Sequence, residues 1–288
     1  MTRIAFLGLG TMGAGMAAQL ATKGFDLSVW NRSRAKADAL AEHGARATAT
    51  PAEAATGADI VIAMVADDAA SHAVWLGDDG ALAVLRSGAV AIESSTLTID
   101  WVRTLAGAAQ TQGLDFIDAP VTGSRQQASE GALKFLVGGA DVVVARARPV
   151  LDAMGVDVLH LGPVGSGAIL KLVNNFLCGV QVASVAEAVA MIERSGLDPV
   201  RAVAVLAGGA PGSPLVGAVS QRMLDHAYQP NFFPGLMAKD LAYAQAAFAA
   251  QGITLASADA ARARFEAAVA DGLGDKDIAS IVEPLRRP

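Results

Sequence analysis

Cysteine is almost absent from the sequence, which has Cys178 alone among 288 residues. A single cysteine excludes an internal disulfide and a cysteine-rich zinc site, and it leaves a reducing compartment or indifference to redox conditions. The histidines are scattered at His43, His72, His160 and His226, without the spacing of metal ligands. We therefore expect no bound metal, and we predict a cytoplasmic protein.

Basic charge and long apolar runs are also scarce. The 22 basic against 28 acidic residues give a net charge of −6, and Lys and Arg form no continuous block, whereas a nucleic-acid-binding surface is basic. The most apolar stretch, residues 176–192, is interrupted by Gln181, Ser184 and Glu187, whereas a membrane span needs about 20 apolar residues in succession. We interpret this stretch as a buried helix, and we expect neither a nucleic-acid nor a membrane partner.

The first half of the chain alternates short β-branched runs with alanine-rich stretches, which is typical of a parallel sheet with crossover helices. The pattern predicts strands at 3–7, 27–30, 60–64, 89–93, 115–118, 134–138 and 156–161, and helices at 13–23, 34–43, 71–75, 98–112 and 141–154. A glycine-rich linker at 162–167 precedes a long apolar helix over 168–194, and the remainder is helical with breaks at 208–214 and 229–235.

This organisation predicts an α/β Rossmann fold, a doubly wound parallel sheet, followed by an all-α C-terminal domain and joined to it by a long interdomain helix. We place the dinucleotide-binding Rossmann domain at residues 1–163. The helical domain occupies residues 164–288.

A glycine-rich segment follows the first predicted strand directly and leads into an alanine-rich helix. Its sequence, Gly8-Leu9-Gly10-Thr11-Met12-Gly13, matches G-x-G-x-x-G in the strand–turn–helix context that the pattern requires. Gly8 would form the tight turn, Gly10 would let the backbone approach a pyrophosphate, and Gly13 would allow close packing of the helix. A plain glycine turn is the alternative, and the context favours dinucleotide binding.

The end of the second predicted strand indicates which dinucleotide binds. NAD-specific folds usually place Asp or Glu there, about 20 residues past the glycines, to bind the ribose 2′-hydroxyl. This chain has no carboxylate at the tip; Asn31 and Ser33 can donate hydrogen bonds, and Arg32 can pair with a 2′-phosphate or stack over adenine. We predict NADP(H) as the preferred cofactor, with NAD(H) possible. The alternative is that Arg32 and Arg34 are solvated surface charges.

Two later segments carry groups suited to a substrate. The first, residues 118–124, ends a predicted strand with hydroxyls and backbone N–H groups that can form a nest for a carboxylate. The second is the long helix, where Lys171 shares one side with Gly167, Asn174, Asn175 and Cys178. An unpaired buried ammonium is costly, so we expect a substrate anion beside Lys171 and an amine that donates a proton. The alternative is a lysine that reaches the surface.

These segments resemble the β-hydroxyacid dehydrogenases, which include 3-hydroxyisobutyrate dehydrogenase, tartronate semialdehyde reductase and the glyoxylate/succinic semialdehyde reductases. The similar blocks are residues 6–13, 118–124, 165–175 and 239–241, in the family's order over essentially the whole chain. The resemblance implies a homodimer or homotetramer, and it implies that the helical domain serves substrate binding and dimerisation. It also implies that Lys171 is the catalytic acid/base and that Asn175, one turn further along, orients the substrate.

The same resemblance assigns the remaining site residues. The implied substrate-binding residues are Thr122, Gly123, Ser124 and Asn174. The implied cofactor-binding residues comprise the glycine loop, the tip of the second strand, two later strand ends and one lysine of the helical domain: Gly8, Leu9, Gly10, Thr11, Met12, Gly13, Asn31, Arg32, Ser33, Val65, Thr96 and Lys239.

The substrate loop departs from the family's common Ser-Gly-Gly, because this chain has Thr122-Gly123-Ser124-Arg125. The serine at 124 is closer to the glyoxylate/succinic semialdehyde reductase branch, so we predict an NADPH-dependent reductase of small carboxylate-bearing aldehydes. The alternatives are a 3-hydroxyisobutyrate or tartronate semialdehyde type of dehydrogenase, an imine reductase, or a non-catalytic NADPH-binding module. Whether Arg125, Phe232 and Phe233 line the substrate pocket stays open at this point.

Overall fold

The computed structural model describes residues 2–287, which divide into two compact units between Lys171 and Leu172. The long helix α8 (Ser166–Arg194) spans this division. The expected domain boundary at 163/164 lies just before that helix begins, and it stays a prediction.

The N-terminal unit is built around one sheet that has nine strands within residues 2–287. The strands are β1 (Arg3–Leu7), β2 (Asp26–Trp30), β3 (Arg46–Ala47), β4 (Ile60–Ala63), β5 (Val90–Glu93), β6 (Asp115–Asp118), β7 (Val121–Thr122), β8 (Leu133–Gly138) and β9 (Gly155–Gly162). The helices are α1 (Gly13–Thr22), α2 (Arg34–Ala41), α3 (Pro51–Ala55), α4 (Asp68–Leu76), α5 (Ile99–Thr111), α6 (Arg125–Glu130) and α7 (Asp141–Leu151), with a short 3-10 helix at Leu82–Val84.

The strand order is β3-β2-β1-β4-β5-β6-β8-β7, and β9 pairs with β8. The strands from β3 to β6 are parallel, whereas β8 is antiparallel to β6 and β7. The first six strands of this list reproduce the Rossmann order. The direction in which the chain adds strands to the sheet reverses between β1 and β4. The predicted doubly wound sheet is confirmed, with an antiparallel addition at one side. In such sheets ligands bind at the carboxyl ends of the strands beside the reversal.

Burial explains the near-continuous apolar runs of the central strands. All four residues of β4 and of β5 are buried, as expected for a sheet covered on both faces. One hydrophobic core, with Phe6, Met16 and Phe135, lies on one face. A second core, with Trp75 and Leu105, lies on the other. The predicted strand positions therefore follow from hydrophobic burial on two sides.

The C-terminal unit is helical, which confirms the predicted all-α segment. After α8 it contains α9 (Pro199–Gly208), α10 (Pro214–Leu224), α11 (Pro234–Ala249), α12 (Ala256–Ala268) and α13 (Glu283–Arg286), together with a π-helical turn at Val269–Leu273 and a 3-10 helix at Ile278–Val282. Asp198 and Ser213 accept backbone N–H groups at the start of α9 and α10, each followed by a proline at the first helical position. These are standard helix-start signals, and the one at Ser213 lies in the break at 208–214 that is seen in the sequence.

The long helix α8 is buried on one side only, which corrects its interpretation as a buried helix. Leu172, Val182 and Val189 are buried, whereas Leu177 is 51% and Met191 is 67% exposed. By length and composition α8 could cross a membrane, and half of its apolar window is buried. One such helix is weak evidence for a membrane span because the core helices of water-soluble proteins meet the same criterion.

A polar cluster ties the end of the chain to the helical unit. The guanidinium of Arg286 pairs with Glu193 and Glu283 and donates to the Tyr228 hydroxyl at 3.0 Å and the Met223 carbonyl at 2.9 Å. Burial and the neighbouring Glu283 raise the pKa of Tyr228, so this hydroxyl stays a donor. The Arg286 side chain is 15% exposed, so its partners depend on it rather than on water.

Replacing Arg286 by Ala should destabilise the protein by about 1–3 kcal/mol, because it leaves partly buried acceptors unpaired. The measurement is urea unfolding followed by circular dichroism. Arg287→Ala is the matched control: the neighbouring arginine is 60% exposed and, within residues 2–287, forms an ion pair with Asp271 alone, so its loss should change stability little. Equal losses for the two variants would contradict this role of Arg286.

Candidate active site

The glycine loop lies between the ends of β1 and β4. Gly8 has φ +99°, a conformation that favours glycine, and a Cβ added there would lie 2.3 Å from the Met64 carbonyl oxygen. A Cβ at Gly13 would lie 2.0 Å from the Gly8 carbonyl oxygen, whereas one at Gly10 would meet no atom within 4 Å. The fold therefore requires glycine at positions 8 and 13, while the open space at Gly10 is where a ligand can approach the backbone.

The first turn of α1 has the properties of an anion-binding helix terminus. Met12 at the helix N-cap provides no side-chain cap, and the first turn has no acidic residue. Backbone N–H groups at a helix N-terminus carry partial positive charge and bind phosphate. Together with the open space at Gly10, this end of α1 fits the pyrophosphate of a dinucleotide.

The tip of β2 divides into a positioning residue and exposed residues. The Asn31 side-chain oxygen accepts the Leu9 N–H at 2.8 Å, and its amide donates to the Ser33 carbonyl at 3.0 Å. Asn31 thus ties the glycine loop to β2, and one amide hydrogen remains for a ligand. Arg32 and Ser33 are exposed, and Arg34 forms a surface ion pair with Asp38 at 2.8 Å. Both arginines are thus at the surface, and a cofactor contact at Arg32 stays a prediction.

The loops after β4 and β5 carry the two expected cofactor residues Val65 and Thr96. The Val65 N–H donates to the Ser95 hydroxyl at 2.8 Å, and Ser95 directly precedes Thr96. A Cβ on Gly8 would lie 2.9 Å from Val65 Cγ1. The structure thus brings Gly8, Val65 and the Ser95–Thr96 segment to one edge of the sheet. The sequence reasoning assigned no role to Ser95.

The expected substrate loop lies between β7 and α6. Thr122 is partly buried, and Gly123 has φ +136°, where a Cβ would also lie 2.8 Å from Leu133 Cδ2. The Ser124 N–H, expected to be available for a carboxylate, donates to the Gln127 side-chain oxygen at 2.5 Å. Gln127 therefore shares this loop, although it had no role in the sequence reasoning; the spacing Ser124-x-x-Gln127 of a capping box is the signal that could have found it. Arg125 is exposed.

Asp118, at the end of β6, is hydrogen-bonded to the start of α8. Its carboxylate is 1% exposed and accepts the Gly165 N–H at 2.7 Å and the Ala168 N–H at 2.8 Å. Burial raises the pKa of Asp118, and the hydrogen bonds from these N–H groups act in the opposite direction. Thr122 follows Asp118 by four residues, and Lys171 follows Ala168 by three. The Asp118 carboxylate therefore holds the start of α8 at the end of the strand that precedes the substrate loop.

In the helical unit, Asp240 collects the remaining predicted polar residues. The Asn175 amide donates to Asp240 Oδ2 at 2.6 Å, and the Lys239 ammonium lies 2.9 Å from Oδ1. The Asn174 amide donates to Asn175 Oδ1 at 2.9 Å, and Lys239 also stacks over the Tyr243 ring at 4.7 Å. Asp240 is 1% exposed and had no role in the sequence reasoning. Asn174, Asn175 and Lys239 thus form one network.

Other expectations about this region have mixed outcomes. Lys171 is partly buried, less than the sequence suggested, and stands one helical turn before Asn175. Phe232 packs against the core of the helical unit, so its place in a substrate pocket stays a prediction. Within residues 2–287, no three His, Cys, Asp or Glu side chains form a group able to hold a metal ion.

Both parts of the chain match family models. Residues 3–162 match the NAD-binding domain of 6-phosphogluconate dehydrogenase. Residues 165–285 match the domain described as NAD-binding of NADP-dependent 3-hydroxyisobutyrate dehydrogenase. The fold and the matched domains define an oxidoreductase with a nicotinamide cofactor.

Curated relatives and a solved structure extend this similarity to the full chain. Glyoxylate/succinic semialdehyde reductase 2 of Arabidopsis thaliana is 34% identical, covering 98% of this chain and 79% of that one. NAD-dependent L-serine dehydrogenase of Pseudomonas aeruginosa is 34% identical over 100% and 99%. The structure of Mycobacterium tuberculosis 3-hydroxyisobutyrate dehydrogenase with L-serine has TM-score 0.89 and 32% identity, covering 100% of both chains. The chain belongs to the β-hydroxyacid dehydrogenase family, which confirms the resemblance found in the sequence.

Replacing Asp118 by Ala should destabilise the protein by about 1–3 kcal/mol, because two buried N–H groups of α8 lose their acceptor. Turnover should fall too, since the turn of α8 that precedes Lys171 loses its attachment to β6. Urea unfolding and steady-state rates measure the two effects.

Asp100→Ala is the matched control, because Asp100 also lies in the first turn of a helix, α5, but is exposed. Its stability should stay within about 0.5 kcal/mol of the wild type. An Asp118→Ala protein with wild-type stability would show that the carboxylate does not support α8.

Proposed function

We propose that the protein is an NADPH-dependent reductase of a small carboxylate-bearing aldehyde, of the glyoxylate or succinic semialdehyde type. The observation that carries this proposal is the buried Asp118 carboxylate, which accepts the Gly165 and Ala168 N–H groups at the start of the helix that carries Lys171. Asp118 also stands four residues before Thr122 in the chain, so a proton donor and a candidate carboxylate-binding loop both adjoin the end of β6. This arrangement suits a substrate that has a carboxylate and a carbonyl.

In the proposed reaction, Lys171 donates a proton to the carbonyl oxygen of the substrate. A lysine ammonium ordinarily carries its proton at neutral pH, so reduction needs no unusual tuning. Oxidation would need the neutral amine, which partial desolvation favours. The bound nicotinamide would supply or accept the hydride.

The other proposed roles follow from hydrogen bonds in the structure. Asn175, with its oxygen and one amide hydrogen already paired, has one amide hydrogen left to orient the substrate. Thr122 and the Gly123 N–H would bind the substrate carboxylate. The Ser124 N–H would join them only by giving up its bond to Gln127. Lys239, fixed by Asp240 and Tyr243, is proposed as the cofactor contact of the helical domain.

We propose NADP(H) because the tip of β2 offers exposed Arg32 and Ser33 and no carboxylate. The glycine loop, Val65 and Thr96 would contact the rest of the cofactor. A second candidate is an NAD-dependent dehydrogenase of a small hydroxy acid, 3-hydroxyisobutyrate or tartronate semialdehyde type. The L-serine dehydrogenase relative favours it, because its identity to this chain equals that of the reductase, 34%. Lys171 argues against the imine reductase and non-catalytic alternatives.

We also propose a homodimer or homotetramer with a cytoplasmic location. Large apolar side chains remain exposed on α8 and on the neighbouring α9, where Val200 is 62% and Val205 is 74% exposed. Exposed apolar surface of this kind is typical of protein interfaces. The two-domain division at 163/164 is proposed with it, with α8 in the helical domain.

Replacing Lys171 by Met should reduce turnover of NADPH with glyoxylate or succinic semialdehyde by about 100-fold or more, because proton donation is lost. NADPH affinity should change little. Lys276→Met, on an exposed lysine of the helical unit, is the control and should retain wild-type rates. Near-normal turnover by the Lys171→Met protein would exclude this lysine as the acid.

Replacing Arg32 by Glu should lower the ratio of kcat/KM for NADPH over NADH by about 10- to 100-fold, the value of a lost charge-assisted hydrogen bond. Initial rates with both cofactors and one aldehyde acid measure the ratio. Arg34→Ala is the matched control, since Arg34 already pairs with Asp38. A wild-type enzyme that prefers NADH, with 3-hydroxyisobutyrate or L-serine as substrate for NAD⁺ reduction, would favour the second candidate.

A further inference from the structure

A buried carboxylate stands beside the cofactor edge of the sheet, and the proposed reaction does not use it. Glu93, the last residue of β5, is 1% exposed. Its Oε2 accepts the Ser71 hydroxyl at 2.6 Å and the Trp75 indole N–H at 2.9 Å, and its Oε1 accepts the Ser95 N–H at 2.9 Å. All three donors are neutral. Burial raises the pKa of Glu93, opposed by the donors.

The two oxygens of Glu93 face different parts of the unit. Oε2 is bonded to Ser71 of α4. The Ser71 hydroxyl also accepts the indole N–H of Trp101, in α5, at 2.9 Å. The Oε1 side leads to the loop after β5, where the N–H of Ser95 donates to it. Glu93 therefore connects the packed helices with the loop at the sheet edge.

Ser95 connects the loop after β5 to the glycine turn. Its hydroxyl accepts the Val65 N–H at 2.8 Å, and Val65 Cγ1 would lie 2.9 Å from a Cβ on Gly8, next after the Met64 carbonyl oxygen at 2.3 Å. A chain of contacts thus runs from Glu93 through Ser95 and Val65 to Gly8. The turn at Gly8 opens the loop that fits the pyrophosphate.

We propose that Ser95, oriented by the buried Glu93, is a positioning residue for nicotinamide cofactor binding. Its hydroxyl holds the loop after β4, which carries Val65, against the glycine turn, and this contact sets the affinity for the cofactor. Ser95 takes no part in hydride or proton transfer. This role depends on cofactor binding alone and not on the identity of the substrate.

Ser95→Ala removes the acceptor of the Val65 N–H and leaves the Ser95 N–H bond to Glu93 in place. The expected result is a threefold to tenfold increase in Kd for NADPH and NADH, roughly the value of one lost hydrogen bond. In turnover assays, KM for the cofactor should rise by a similar factor while kcat at saturating cofactor changes less than about twofold. Isothermal titration calorimetry without substrate gives the Kd.

Ser94→Ala is the matched control, because the neighbouring hydroxyl is buried and has no hydrogen-bond partner within residues 2–287. Its Kd should equal that of the wild type. Ser71→Ala tests the far side of Glu93: it should lower Tm, because the Trp101 N–H loses its acceptor, and leave Kd unchanged.

Glu93→Gln provides a second test of the carboxylate. The NH₂ group of a glutamine would face either the Ser95 N–H or the Trp75 N–H, so that two donors would meet without an acceptor. Both Tm and cofactor affinity should therefore fall. A Ser95→Ala protein with the Kd of Ser94→Ala would overturn the proposal. So would a Ser71→Ala protein whose Kd rises in proportion to its loss of Tm, because the effect would then be general destabilisation.

The calorimetric test is independent of the proposed reductase activity. If no aldehyde acid is reduced, the substrate assignment fails, and the Kd comparison between Ser95→Ala and Ser94→Ala still decides the role of Ser95.

Discussion

The start of α8 depends on the buried carboxylate of Asp118. The first N–H groups of an α-helix have no partner within the helix, and at α8 Asp118 accepts two backbone N–H groups, those of Gly165 and Ala168. A Cβ on Gly167 would lie 2.1 Å from the Leu136 carbonyl oxygen, so the helix begins in direct contact with β8. Close backbone approach and one acceptor together determine where Lys171 stands.

Buried carboxylates recur at positions where segments of the same unit are held together. Each is at most 1% exposed and accepts backbone or side-chain N–H groups: Glu93, Asp118, Asp240 and Asp277. Burial of such a group is costly unless donors surround it. Each carboxylate therefore keeps the segments that donate to it in place, and those segments stabilise the buried charge. Asp277, for example, accepts the Asn231 N–H at 3.0 Å and the Phe232 N–H at 3.3 Å, which orders the loop before α11.

The sequence predicted the parts of the fold that follow from periodic burial. The apolar strands and the glycine pattern were correct because burial on two faces and close packing at Gly13 require them. The elements β3, β7, α3 and α6 were missed, since two to six residues are too few to show a period. Contacts such as Asn31 to Leu9, across 22 residues, could not be predicted, because they depend on which strands lie side by side. Gln127 is a partial exception: with Ser124 it fits a capping-box pattern.

At the tip of β2, the residue that holds the glycine loop in place differs from the residues proposed to select the cofactor. Asn31 has its oxygen and one amide hydrogen committed to the chain, so replacing it would disturb the glycine loop for any dinucleotide. Arg32 and Ser33, next in sequence, are exposed and make no ion pair within residues 2–287. Their replacement should leave the glycine loop intact, because the bonds that hold the loop to β2 use the Asn31 side chain. Under the proposed function, cofactor preference can therefore change with little cost to stability, whereas replacing Asn31 would remove the contact between β2 and the glycine loop.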